Sequence, residues 1–188
     1  MSKTKKSGPA IFMYSVIAAT VVTALVCFVL YYGGTTDSEL VLWMGIVAFV
    51  IMYHFWVRII MGNVTKLFKI DRNHWWFKEL PFEKSLYKLL RVKSWKGKAL
   101  TYNPEHFSLK LHTPQEIADV TAKSEVDHWV NEVISVSSIF FSLLWGEFWI
   151  FLLTAVAAMI FDAQFIIIQR YNRPRLLRLV EKKSLKQS

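Results

Sequence analysis

Cysteine is almost absent: Cys27 is alone among 188 residues. One thiol excludes an internal disulfide and a cysteine-based zinc site. Its place in an apolar run reads as a small buried hydrophobe. Acidic residues are also scarce, 14 against 23 Lys and Arg, which leaves a formal charge of +9. No Gly-x-Ser-x-Gly, P-loop, dinucleotide fingerprint or His-Glu-x-x-His is present, which removes the function classes those motifs mark. What the chain does have is apolar surface. Hydrophobic residues make up 54% and aromatics 15%, with 8 Trp and 14 Phe, whereas an ordinary soluble domain is roughly 45–50% apolar. Mean hydropathy is +0.31. High hydropathy with a basic excess argues against a disordered chain, a disulfide scaffold and a standard soluble enzyme. The length admits one domain or a small membrane bundle.

Ala10–Tyr32 is a run of 23 residues without a formal charge. At about 1.5 Å per residue, a helix of that length crosses a hydrocarbon core of about 30 Å. Lys3, Lys5 and Lys6 precede it, but the run is long for a signal peptide and lacks a small-x-small cleavage site, so it reads as an uncleaved span. Gly33–Glu39 is a polar turn, and Leu40–Val57 is a second uncharged stretch closed by Arg58. The apolar region Val133–Ile168 is too long for one span, and Trp145-Gly146-Glu147 breaks it. A third helix ends near Trp145 and a fourth runs from about Phe148 to Ile168. The third reaches across only if it starts near Asp127; a re-entrant hairpin is the alternative. The predicted fold is an all-α integral membrane protein of about four transmembrane helices, with a cytoplasmic amphipathic, interfacial insertion between helices 2 and 3. Residues 1–61 hold two spans, 62–127 the insertion, 128–169 a helical hairpin, and 170–188 a basic tail.

All 23 basic residues precede the first span, follow the second at or after Arg58, or follow the fourth from Arg170 onward. The two opposite turns carry only Asp37, Glu39 and Glu147. The positive-inside rule then puts both termini and the insertion in the cytoplasm. Contact with anionic lipid accounts for the charge, and no nucleic-acid partner is expected, because no recognised binding motif appears.

Within the insertion, His74-Trp75-Trp76-Phe77 lies between Arg72 and Lys78, the composition of a membrane-interface belt. Phe82–Arg91 puts Phe82, Leu86, Leu89 and Leu90 near one helical face, with Glu83, Lys84, Lys88 and Arg91 largely on the other. Such a helix lies along a bilayer surface or packs on the rest of the insertion. Arg91–Lys98 is a basic loop in which Lys93 and Lys96 are candidates for holding a phosphate-bearing ligand; solvated charge near headgroups is the other reading. Thr113-Pro114-Gln115-Glu116 is a helix start with a capping box. No Gly or Pro follows until Gly146, so one helix is expected to run from Pro114 into the third span.

Glu125, His128 and Glu132 are spaced i, i+3, i+7 on one face of that helix. Asp162, inside the fourth span, shares a face with Phe165 and Gln169. An ionisable residue in a membrane segment is costly and usually faces protein or water. The two polar sets are expected to converge, with Arg170, at the cytoplasmic side. Imidazole can act as a general base near neutral pH, a carboxylate can orient it, and nearby cations can bind an anionic carrier. That suits acyl transfer. Glu125 and His128 also read as ordinary interfacial polar residues. A metal-dependent intramembrane enzyme would use Glu125, His128, Glu132 and Asp162, but a di-iron bundle needs two Glu-x-x-His copies and further glutamates, and one copy is present. No metal is expected. His54, His74, His106 and His112 lack ligand-like spacing and read as structural or interfacial.

Three segments carry a resemblance: Gln169-Arg170-Tyr171-Asn172-Arg173-Pro174-Arg175, the E-x-x-H-W pattern in Ser124–Trp129, and Arg91-Val92-Lys93-Ser94-Trp95-Lys96. Together they resemble the glycosyl-4,4'-diaponeurosporenoate acyltransferases, small bacterial membrane proteins of carotenoid biosynthesis, over roughly residues 66–180. The resemblance implies transfer of a fatty acyl group to a sugar hydroxyl of a glycosylated carotenoid or related glycolipid at the cytoplasmic face of the cell membrane. The implied donor is acyl-CoA or acyl carrier protein, with no bound cofactor. In that setting His128 is the expected general base and Glu125 its orienting partner. Arg170, Asn172, Arg173 and Arg175 are expected to bind donor phosphates or polarise the acyl carbonyl. Pro174 is expected to stop the helix and splay Arg173 and Arg175 around its end. Gln169, Glu132, Asp162, Lys93 and Lys96 complete the expected substrate-binding set. A non-catalytic membrane subunit of a lipid-modifying complex is the competing reading.

Overall fold

The uncharged runs and the capped segment become helices in the computed structural model, which describes residues 8–99 and 104–185. Lys3, Lys5, Lys6 and Lys186 lie outside the described residues. Among the described residues every regular element is helical: α1 Gly8–Tyr32, α2 Glu39–Val64, α3 Glu83–Leu89, α4 Val92–Trp95, α5 Pro114–Ser137, α6 Ser142–Trp145 and α7 Phe148–Ser184, joined by turns and short 3-10 segments. Three helices are long and apolar enough to cross a membrane: Ile11–Tyr32 within α1, all of α2, and Phe148–Lys182 within α7. The third expected span is not among them. Its helix α5 gives way at Ser138 to a 3-10 turn and then to the single turn of α6. Gly146, at φ 74°, closes α6 in the left-handed conformation that glycine adopts without a side-chain penalty.

The chain forms two compact units, one made of residues up to Gly62 with Asn131–Ile160, the other of Asn63–Val130 with the residues from Phe161 onward. In the first unit Ile46, Val50 and Phe151 are fully buried, with Phe28, Leu42, Phe49, Phe141, Trp145 and Ile150 packed on them. Gly45 permits the close approach of α1 and α2: a Cβ there would meet the Phe28 ring at 2.9 Å. Beyond α5 the chain runs alongside α2 in the opposite sense. Ser138 Oγ lies 3.5 Å from His54 Nε2. Phe141 packs edge-on against Phe49 and Tyr53, and Trp43 Nε1 donates to Glu147 Oε1 at 3.0 Å.

In the second unit α5 starts with a complete capping box. The Thr113 amide donates to Glu116 Oε2 at 2.7 Å, and the Glu116 amide donates to Thr113 Oγ1 at 3.3 Å. The Thr113 amide first, and then the Thr113 hydroxyl, hold the Glu116 carboxyl below its ordinary range. Helix α3 has the opposite orientation to a soluble amphipathic helix. Glu83 and Tyr87 are buried, whereas Phe82 and Leu89 are exposed. The reason is polar: Tyr87 donates to Glu83 Oε2 at 2.8 Å, and Glu83 is held by an arginine of α7. Burial and the neighbouring Glu83 carboxylate push the Tyr87 phenol well above its usual range.

Pro174 does not end α7, which continues to Ser184. Proline removes one amide donor, the partner of the Arg170 carbonyl. Buried neighbours on both sides hold the helix together: Tyr171 packs with Tyr87 and Val92, and Leu176 with Ile117 and Ala118. Arg173 and Arg175 are therefore not splayed around a helix end. Two positions apart on a continuous helix, they point in divergent directions; Arg173 is buried and Arg175 exposed.

Candidate active site

Within the second unit α5 and α7 pack antiparallel in a regular succession of contacts. Ile117 and Ala118 meet Leu176, Thr121 meets Arg173, Glu125 meets Arg170 and Arg173, and His128 meets Asp162 and Phe165. The partner number rises along α7 as the α5 number falls, in the three- and four-residue steps of helical faces. Ala118 and Ala122, both fully buried, allow the helices this close approach.

The succession divides into a charged cluster and a histidine pair. In the cluster, Arg170 Nη1 donates to Glu125 Oε1 at 2.7 Å and its Nε to Glu83 Oε1 at 2.6 Å. Its remaining donors reach the carbonyls of Trp76 and Lys78, each at 3.1 Å. Arg173 Nη2 donates to Glu125 Oε2 and to the Thr121 carbonyl, and its guanidinium lies 4.7 Å from the centre of the Phe77 ring. Two carboxylates thus balance two guanidiniums. Such a set is tolerable in an interior only when paired and fully hydrogen-bonded. Four separate stretches of the unit meet here: the Trp76–Lys78 turn, α3, α5 and α7.

In the histidine pair, the Nδ1 of His128 lies 2.8 Å from Asp162 Oδ1. The His128 side chain is 19% exposed and that of Asp162 is 0%. Phe165 stacks on the imidazole with centroids 4.7 Å apart and planes within 10°. A carboxylate at Nδ1 accepts a hydrogen bond from that nitrogen's N–H, and the tautomer it favours leaves Nε2 with its lone pair. The stacked ring limits rotation of the imidazole.

This arrangement differs from the expected one in several respects. The carboxylate against His128 is that of Asp162; Glu125, expected to orient the imidazole, is occupied by two arginines. Arg170 and Arg173, expected to meet donor phosphates, have side chains 12% and 1% exposed, with their donors used internally. A guanidinium spent in this way is not open to a soluble ligand. Gln169 is buried and donates to Ser124 Oγ at 3.2 Å. Glu132 is buried in the other unit. Lys96 Nζ donates to Asn172 Oδ1 at 2.7 Å, Arg175 lies over the Tyr171 ring, and Lys93 is exposed. Glu83 and Thr121 were not anticipated. The i, i+4 spacing of Glu83 and Tyr87 was the available sign, and it points as readily to a solvated helix face. Among the described residues no group of three His, Cys, Asp or Glu side chains is placed to hold a metal ion.

Comparison with curated proteins and with solved structures gives no match. The sequence profile of the glycosyl-4,4'-diaponeurosporenoate acyltransferases matches residues 73–182, more than half of the chain. The match takes in both the charged cluster and the histidine pair, and the chain therefore belongs to the glycosyl-4,4'-diaponeurosporenoate acyltransferase family.

Proposed function

We propose that the protein transfers a fatty acyl group from a thioester donor to a sugar hydroxyl of a glycosylated lipid, with His128 as general base. The observation that carries this reading is the pairing of a partly exposed His128 with a fully buried Asp162 through Nδ1. The Nε2 of His128 removes the proton of the acceptor hydroxyl as its oxygen attacks the thioester carbonyl. The tetrahedral adduct then expels the thiolate, which takes the proton back from the imidazolium. Asp162 holds the imidazole in the required tautomer and stabilises the cation that forms, a role known from triad hydrolases. Glu125, Arg170, Arg173 and Glu83 act as the frame that aligns α5 with α7. Donor contacts then fall to the accessible groups of the same region: Arg175, Asn172, Lys93 and Lys96.

In this reading the donor is acyl-CoA or acyl carrier protein and the acceptor is a glycosyl carotenoid or related glycolipid. The site lies at the cytoplasmic face of the cell membrane. The contact of Glu147 with Trp43, near the start of α2, supports the four-span course, because it puts the α6–α7 turn at the same end of the first unit as the Gly33–Glu39 turn. Exposed Leu67, Phe68, Trp75, Phe82 and Leu89 suit a second unit resting on lipid. Lipid mass spectrometry of cells carrying the wild-type gene, His128→Ala or no gene tests the proposal. A product heavier by one acyl chain is expected with wild type only. The same product with His128→Ala at normal expression removes the mechanism.

A further inference from the structure

Among the described residues of the second unit, one cationic cluster reaches no carboxylate. Lys96 follows α4, and its Nζ lies 4.9 Å from the centre of the Tyr171 ring. The Arg175 guanidinium lies 3.6 Å from the same ring and donates to the Tyr171 carbonyl. Tyr171 is itself buried and fixed edge-on against Tyr87 at 5.3 Å. One ring therefore holds two positive charges near each other. Arg72, Arg170 and Arg173 each reach a carboxylate; among the described residues neither Lys96 nor Arg175 does. Burial first, and then the charge of Arg175, hold the Lys96 ammonium below its ordinary range. Asn172 accepts from Lys96 through Oδ1, which leaves its NH2 group as a further donor.

We propose that Lys96, Arg175 and the Asn172 amide form a binding site for a phosphate group, set against the Tyr171 ring. A phosphate offers several strong acceptor oxygens and at least one negative charge. It accepts from an ammonium, a guanidinium and an amide at once, and it offsets the repulsion of the two cations. Cation–π contact with Tyr171 holds both charges in place before the ligand arrives. The same chemistry is carried by the phosphates of coenzyme A or a carrier-protein arm and by a phospholipid headgroup. Assignment to the donor rests on the acyl-transfer reading; the phosphate site itself does not.

The test is calorimetric titration of the full-length protein in phosphate-free maltoside detergent with inorganic phosphate, coenzyme A and dioleoylphosphatidylglycerol. Wild type is expected to bind coenzyme A or the phospholipid saturably. Lys96→Ala and Arg175→Ala should each weaken that binding at least tenfold, and Lys96→Arg should largely restore it. Sensitivity confined to coenzyme A identifies the donor as the source, and sensitivity confined to the phospholipid identifies a headgroup; both support a phosphate site. Binding of every probe equally to wild type and both alanine variants overturns the proposal, as does no binding to wild type. The His128→Ala protein is expected to keep its phosphate affinity. If it also keeps turnover while the alanine variants lose binding, acyl transfer through His128 fails and the phosphate site stands.

Discussion

At the scale of single residues, the site rests on which carboxylate each cation meets. Asp162 faces His128, so the two substitutions should separate by role. His128→Ala removes the proposed base and should lower acyl transfer by about 10²–10⁴-fold. Asp162→Asn keeps the base but disturbs its tautomer, and should lower turnover with a smaller effect on acceptor KM. Steady-state assays of both variants in reconstituted membranes check this. Glu125 is different in kind, because it ties Arg170 and Arg173 together inside the second unit. Removing one partner of a buried, hydrogen-bonded charge set costs about 3–5 kcal/mol. Glu125→Gln should therefore lower the thermal unfolding temperature and expression together. A Glu125→Gln protein of wild-type stability and no activity would instead place Glu125 in the chemistry. The family pattern marked Glu125, and its place in an apolar span marked Asp162, but periodicity cannot say which histidine or arginine a carboxylate meets across two helices.

At the scale of elements, local signals were legible where they concern the backbone alone. The Thr113–Glu116 box and the Gly146 stop both follow from a residue type at a defined helix position. Because folding lowers the Glu116 carboxyl, its contribution is present above the unfolded pKa and is lost as pH falls through the folded one. Acid titration of unfolding should show that loss in wild type, and Glu116→Gln should flatten it. Pro174 misleads by the same local logic, since burial on both sides outweighs one lost amide bond. Pro174→Ala restores that donor, and an added helical hydrogen bond should stabilise the protein by about 0.5–1.5 kcal/mol. Chemical denaturation in mixed micelles measures it.

At the scale of the whole molecule, three long apolar helices and one-sided basic charge give a topology that can be tested with the chain's own scarcity of thiols. Cys27 is buried, so single cysteines introduced elsewhere should report without background. Asp37→Cys should react with an impermeant maleimide added to intact spheroplasts. Lys98→Cys should react only after permeabilisation. The reverse pattern would invert the orientation and move the candidate site to the outer face.

The sequence by itself determined the helical class, the apolar runs, the distribution of charge and the family, because these depend on composition and spacing along one chain. Only the tertiary structure decided that Asp162 rather than Glu125 meets His128, that Arg170 and Arg173 face inward, and that Lys96 and Arg175 share Tyr171 and reach no carboxylate among the described residues. Those outcomes depend on how α5, α7 and the insertion are aligned against one another. A small shift in that alignment would exchange the partners while leaving every local pattern intact.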